Sequence, residues 1–105
     1  MNRMFCYAFA FNNDVSTWNT TSVTNMAEMF RSCTSLEWGN LSRWDTSRVT
    51  KMNGMFQDAW KFNGDLSTWN TELVDEMHWM FGGAQAFDGD ISQWNTGRVT
   101  EMDNM

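Results

Sequence analysis

The chain has 105 residues, 42% of them hydrophobic and 15% aromatic, enough for one domain with a modest core and too apolar for a disordered segment. Thirteen acidic residues against seven basic ones give a net charge of −6, which argues against nucleic acid or an anionic membrane as a partner. No run of 18 apolar residues occurs, so no membrane span is expected, and Met1–Phe11, short and broken by Asn2 and Arg3, does not read as a hydrophobic signal segment.

Ten Met, seven Trp and eight Phe beside no Pro make an unusual composition. An internal repeat accounts for most of it. Trp18, Trp44, Trp69 and Trp94 are spaced 26, 25 and 25, and Val23, Val49, Val74 and Val99 keep the same intervals. Thr20, Thr46, Thr71 and Thr96 follow them, as do Phe5, Phe30, Phe56 and Phe81. Every Met falls into one of five pairs: Met1/Met4, Met26/Met29, Met52/Met55, Met77/Met80 and Met102/Met105. The single extra residue lies in LEWGN, between Leu36 and Asn40. A period of this length means coils that stack because none can bury its apolar face alone. WD-type propeller blades need roughly 40 residues each and do not fit.

The coils run approximately over 1–25, 26–51, 52–76 and 77–101, with 102–105 beginning a further one, all in a single domain. Within a coil, Val23, Met26, Phe30 and Cys33 are spaced 3, 4 and 3, with Met29 alongside, which predicts a helix of two to three turns. Thr24, Thr50, Asp75 and Thr100 are suited to cap it. The segment around Val15, Leu41, Leu66 and Ile91 reads as a strand of three or four residues, stacked in parallel about 4.8 Å from its neighbours. The expected architecture is thus an α/β solenoid of four coils, each with a short parallel strand and a short helix. Flanking the apolar strand residue, Asp14, Asn40, Asp65 and Asp90 would form a polar ladder.

AFNNDVSTWNTTSVTNMAEMF and KFNGDLSTWNTELVDEMHWMF resemble the 25–26-residue repeat of BspA-like surface proteins, the DUF285 group of leucine-rich-repeat relatives. The resemblance covers essentially the whole chain. Departures are LEWGN, Leu73 and Asp75 in the third copy, and Gly82-Gly83 near its helix end. The resemblance implies a leucine-rich-repeat-like fold and an extracellular or cell-surface array active in adhesion or matrix binding, and it brings no catalytic residues.

The residues that could carry chemistry have plainer readings beside the sharp ones. The Asp14/Asn40/Asp65/Asp90 ladder could hold Ca²⁺, but only Gly64 and Gly89 supply the glycine-rich turns such a site needs, so a hydrogen-bonded or solvated ladder is preferred. The Met pairs offer soft thioether ligands, yet they align with Val and Phe and read as core filler. His78, the single histidine, shares its phase with Ala27, Asn53 and Asp103 and reads as a solvent-facing position. No metal, cofactor or enzymatic activity is expected. Cys6 and Cys33 lie in adjacent coils two positions out of phase, which favours free thiols over a bridge. Asn19-Thr-Thr and Asn40-Leu-Ser are glycosylation sequons if the chain is secreted by a eukaryote.

Three tryptophans fall outside the repeat. Trp60 shares its phase with Phe9, Thr34 and Gln85, and Trp79 shares its phase with Glu28, Gly54 and Asn104. Positions that accept Gln or Glu face solvent, so an aromatic there is either a contact for a protein or glycan or a lateral packing surface. Trp38 and Trp60 flank one corner in neighbouring coils and could form a single patch, though the plainer reading, in which each folds over its own loop, is preferred. Neither end carries a polar capping repeat, so both terminal faces are expected to expose apolar surface and unpaired edges. Two functions follow as expectations: a non-enzymatic extracellular binding or adhesion module, or a structural subunit of a filament assembled end to end.

Overall fold

The backbone N–H groups of the methionine segment decide the architecture. The computed structural model describes residues 1–37 and 40–105. Trp38 and Gly39, in the corner with the extra residue, lie outside the described residues. Met26, Glu28, Phe30 and Ser32 donate to the carbonyls of Lys51, Asn53, Met55 and Gln57 in the next coil, at 2.7–2.9 Å. In between, Met29, Arg31 and Cys33 donate three residues back, to Met26, Glu28 and Phe30, at 3.1–3.2 Å. Half of the N–H groups thus link coils and half close β-turns, which leaves none for a helical ladder reaching four residues back.

This corrects the expected fold class. Among the described residues there is no α-helix and no strand longer than a single bridge, so the chain is not an α/β solenoid with a helix and a strand in each coil. The cause lies in the backbone. Glu28 (φ 53°) and Ser32 (φ 57°) are left-handed, and the pair recurs as Arg3 and Tyr7, Gly54 and Asp58, and Trp79 and Gly83. A left-handed residue every fourth position stops a right-handed helix from propagating. Consecutive turns repeat at nearly the helical interval, so the 3-4-3 stripe remains on one side: Met26, Met29, Phe30 and Cys33 are all fully buried.

The expected strand is displaced as well. The segment at Leu66 closes a turn, Trp69 N–H to Leu66 C=O at 3.1 Å, and the same bond recurs from Trp18 to Val15, Trp44 to Leu41 and Trp94 to Ile91. Parallel pairing occurs instead at Asn25, Lys51, Glu76 and Glu101, as one bridge per coil. The expected caps Thr24, Thr50, Asp75 and Thr100 form a rung between coils, linked N–H to C=O at 2.8–3.0 Å.

Side chains stack on the same period. Phe5, Phe30, Phe56 and Phe81 form a column with centroids 5.7–5.9 Å apart, and Trp44, Trp69 and Trp94 form a second, 6.3 Å apart and within 3° of parallel. The indole N–H of each of these Trp donates to the carbonyl of the preceding coil's apolar residue: Trp44 to Val15, Trp69 to Leu41 and Trp94 to Leu66, at 2.9–3.1 Å. Buried Thr20, Thr46 and Thr71 donate their hydroxyls to Asp45, Asn70 and Asn95 carbonyls at 3.0–3.1 Å. A stack that satisfies its polar groups coil to coil can bury them without the penalty of an orphaned donor.

Candidate binding surface

The polar ladder is exposed and serves the chain itself. Asp14, Asp65 and Asp90 accept the backbone N–H of Ser16, Ser67 and Ser92 at 2.8–3.0 Å, while Asn40 accepts the Ser42 hydroxyl at 2.7 Å. Those backbone N–H bonds, with the serine hydroxyls next, hold the three aspartates below the usual carboxylate range. Among the described residues no group of three or more His, Cys, Asp or Glu is placed to hold a metal ion. The sequon residue Asn19 is used in the same way, accepting from the Thr21 N–H at 3.1 Å and its hydroxyl at 2.7 Å.

Both thiols are free. Cys33 is buried with its Sγ 3.1 Å from the Phe5 carbonyl, and burial pushes its thiol up to about 11. Within the interior coils Met26, Met29, Met52, Met55, Met77 and Met80 are fully buried. Their sulfurs contribute to the core and do not converge on an open site.

The off-repeat tryptophans separate. Trp60 is 54% exposed and lines an open recess of about 330 Å³ with Glu37, Lys61, Asn63 and Ala86. Lys61 and Glu37 pair across it at 3.2 Å. Trp79, 42% exposed, lines a different recess of about 310 Å³ with Glu28, Arg31, Asn53, Gly54, Gln57 and His78. The two recesses share no residue, and the patch expected from Trp38 and Trp60 lies partly outside the described residues.

The Trp79 recess exists because of the residues at one phase of the repeat. Glu28, Gly54 and Trp79 occupy equivalent left-handed positions in successive coils, with φ of 53°, 60° and 58°. Gly54 contributes no side chain, and a Cβ there would stand 3.2 Å from Glu28 Cγ and 3.4 Å from Gln57 Oε1. Glu28 Cγ and Gln57 Oε1 thus lean over Gly54, and the recess they line with Trp79 lies beside them. Gly82, at the phase of Arg31 and Gln57, clears space for the indole: a Cβ there would lie 2.7 Å from Trp79 Cε3.

Glu28 binds Arg3 at 2.8 Å and Arg31 at 3.0 Å, and chiefly the Arg3 hydrogen bond holds its carboxyl below the usual range. The Arg31 guanidinium also lies over the Tyr7 ring at 5.7 Å. His78 departs from the solvent-facing expectation. Its side chain is only 28% exposed, and Nδ1 lies 3.0 Å from Glu101 Oε2 without hydrogen-bond alignment. Four buried side-chain atoms among the described residues have no hydrogen-bond partner. Three of them, Arg31 Nε, Asn53 Oδ1 and His78 Nδ1, belong to residues of this recess. Sequence reasoning singled out Trp79 but not Arg31, Asn53 or Gln57. Gly54, alone among its phase partners in lacking a side chain, is the signal that could have found the recess.

These features define a repeat protein of stacked 25-residue coils with a polar recess beside Trp79 on its side. The chain belongs to the family described as "Mycoplasma protein of unknown function, DUF285", whose model matches residues 1–105, the whole chain, in keeping with the BspA-like resemblance of its repeat. No curated protein and no solved structure matches the chain.

Proposed function

We propose that the chain is a non-enzymatic binding module of a surface protein, active outside the cell in adhesion to a protein or glycan. One observation carries this reading. The repeat-phase Trp44, Trp69 and Trp94 are buried with their N–H groups used, whereas Trp60 and Trp79 stand exposed at positions the stack does not require. Exposed indoles on a rigid support are the usual anchors of recognition surfaces. The test is binding of the chain to an array of immobilised glycans and extracellular-matrix proteins, alongside the Trp60→Asn/Trp79→Asn double variant. Retention on some spots, lost in the variant, supports the reading; no retention on any spot overturns it.

The second reading, end-to-end assembly, is favoured by the polarity of the stack. Every rung of the methionine segment runs from a donor in one coil to an acceptor in the next. Among the described residues the Met4 and Cys6 carbonyls and the Trp18 indole N–H are left unpaired on one face. The Phe81 and Gly83 N–H groups and the Thr96 hydroxyl are left on the other. Residues 102–105 already begin the next coil, with the Trp79 N–H on the Asp103 carbonyl at 3.0 Å, so a second copy, whose Met1–Met4 restates that phase, would need a short overlap or offset at the seam. Sedimentation of the 105-residue chain across concentrations decides between particles that lengthen and a monomer of fixed size, which would remove this reading.

A further inference from the structure

Trp79 stands out by its side chain and not by its backbone, since the left-handed conformation recurs at this phase at Arg3, Glu28, Gly54 and Asn104. Bulky side chains disfavour the left-handed region by roughly 1–2 kcal/mol, a cost that Arg3 and Glu28 bear at this phase as Trp79 does, while Gly54 and Asn104 are residues that tolerate it. With 42% of its surface exposed, the indole is only partly compensated by burial. A second, independent observation lies beside it: the Arg31 Nε donor and the Asn53 Oδ1 acceptor are buried without partners in the wall of the same recess. Buried polar atoms are normally satisfied, so these two, with His78 Nδ1 from the same recess, leave hydrogen-bonding capacity for a water or a ligand.

The charges settle what kind of ligand fits. Among the residues lining the recess Glu28 and Arg31 pair with one another; the second guanidinium on Glu28, that of Arg3, leaves this cluster one positive charge in excess but lies outside the lining. The chain's net charge of −6 further disfavours an anion. What remains is a hydrogen-bonding surface with one aromatic wall, in a space of about 310 Å³. A pyranose ring has that character, with C–H bonds on its face for the indole and hydroxyls at its edge that both donate and accept. We propose that the recess beside Trp79 binds one neutral sugar ring of a glycan. The ring lies on Trp79, and its hydroxyls are taken by Asn53, Gln57 and Arg31 after small side-chain rotations. The proposal rests on the binding-module reading and names its ligand class.

The test is titration of the ¹⁵N-labelled chain with methyl β-galactoside, methyl β-glucoside and methyl α-mannoside, followed by two-dimensional NMR. At least one glycoside is expected to shift the Trp79 indole N–H and the amides of Asn53, Gly54 and Gln57. Trp79→Asn places at this position the residue that Asn104 shows it tolerates, and Gly54→Asn sets a side chain against Glu28 Cγ and Gln57 Oε1 on a residue type that accepts a positive φ. Both variants should keep a native-like spectrum and weaken the interaction by roughly tenfold or more. No shift with any of the three glycosides overturns the proposal, as do shifts that survive both variants or that appear only with an acidic sugar. The array separates this failure from that of the broader reading. Retention there that persists in both single variants, with no glycoside response, removes the sugar site and leaves the binding module standing.

Discussion

Trp69 and Trp79 lie ten positions apart, in successive coils, and have opposite situations. Trp69 is buried between Trp44 and Trp94, with its N–H on the Leu41 carbonyl of the preceding coil. Trp79 is half-exposed on a left-handed backbone, against a recess that no repeat rule requires. A residue type that is plain architecture when it recurs becomes informative when it occurs once. The inner columns and the outer recess should therefore respond differently to substitution.

The largest effect belongs to the inner column. Phe56 is fully buried, lies 5.7 Å from Phe30 and 5.9 Å from Phe81, and stacks at 4.0 Å on Phe62. Phe56→Ala is expected to lower unfolding free energy by about 3–5 kcal/mol in urea melts, because neighbours fixed by coil spacing cannot collapse into the cavity. Trp69→Phe should lower it by about 2 kcal/mol, combining a smaller ring with loss of the indole hydrogen bond. The Leu41 carbonyl keeps the Trp44 N–H, which limits the loss. For Trp79→Asn the expected change is within about 1 kcal/mol of zero, since relief of left-handed strain offsets lost contact with Gly82. A loss as large as that of Trp69→Phe would make Trp79 a structural residue and break the contrast.

The same contrast explains what the sequence revealed. The period, the buried stripe and the two classes of Trp were legible because stacking repeats identical demands in every coil, and Met26, Phe30 and Trp69 answer them with identical residues. The element type was not legible. A 3-4-3 spacing suits a helix and equally suits consecutive β-turns that use every fourth residue in the left-handed region. The clue lay in Gly54 and Asn104 at one phase and Asp58 and Gly83 at the other, residue types that accept positive φ. Read as local departures from a helix, Gly82 and Gly83 concealed a rule that the backbone follows in every coil. Trp79 was legible as an off-repeat residue, but Asn53 and Arg31 were not. Their roles depend on which hydrogen bonds are missing, and that emerges only when coils are superposed in space.

Asp14, Asp65 and Asp90 fall between the two regions, repeated like the columns yet exposed like the recess. Their carboxyls are held below the usual range by serine N–H groups, so the folded chain binds protons there less readily than the unfolded chain does. The stability they contribute is then present above about pH 4 and fades as pH falls through their folded-state values. Thermal melts from pH 6 to pH 2.5 should show Tm declining below about pH 4, and Asp65→Asn, which copies the natural Asn40, should flatten part of that decline. At neutral pH the same variant should melt close to the parent, because the Asn side-chain oxygen still accepts the Ser67 N–H. Each carboxylate already serves its own turn, so added calcium is expected to leave Tm unchanged. A calcium-induced rise that disappears in Asp65→Asn would move the ladder from the architectural side of the comparison to the functional one.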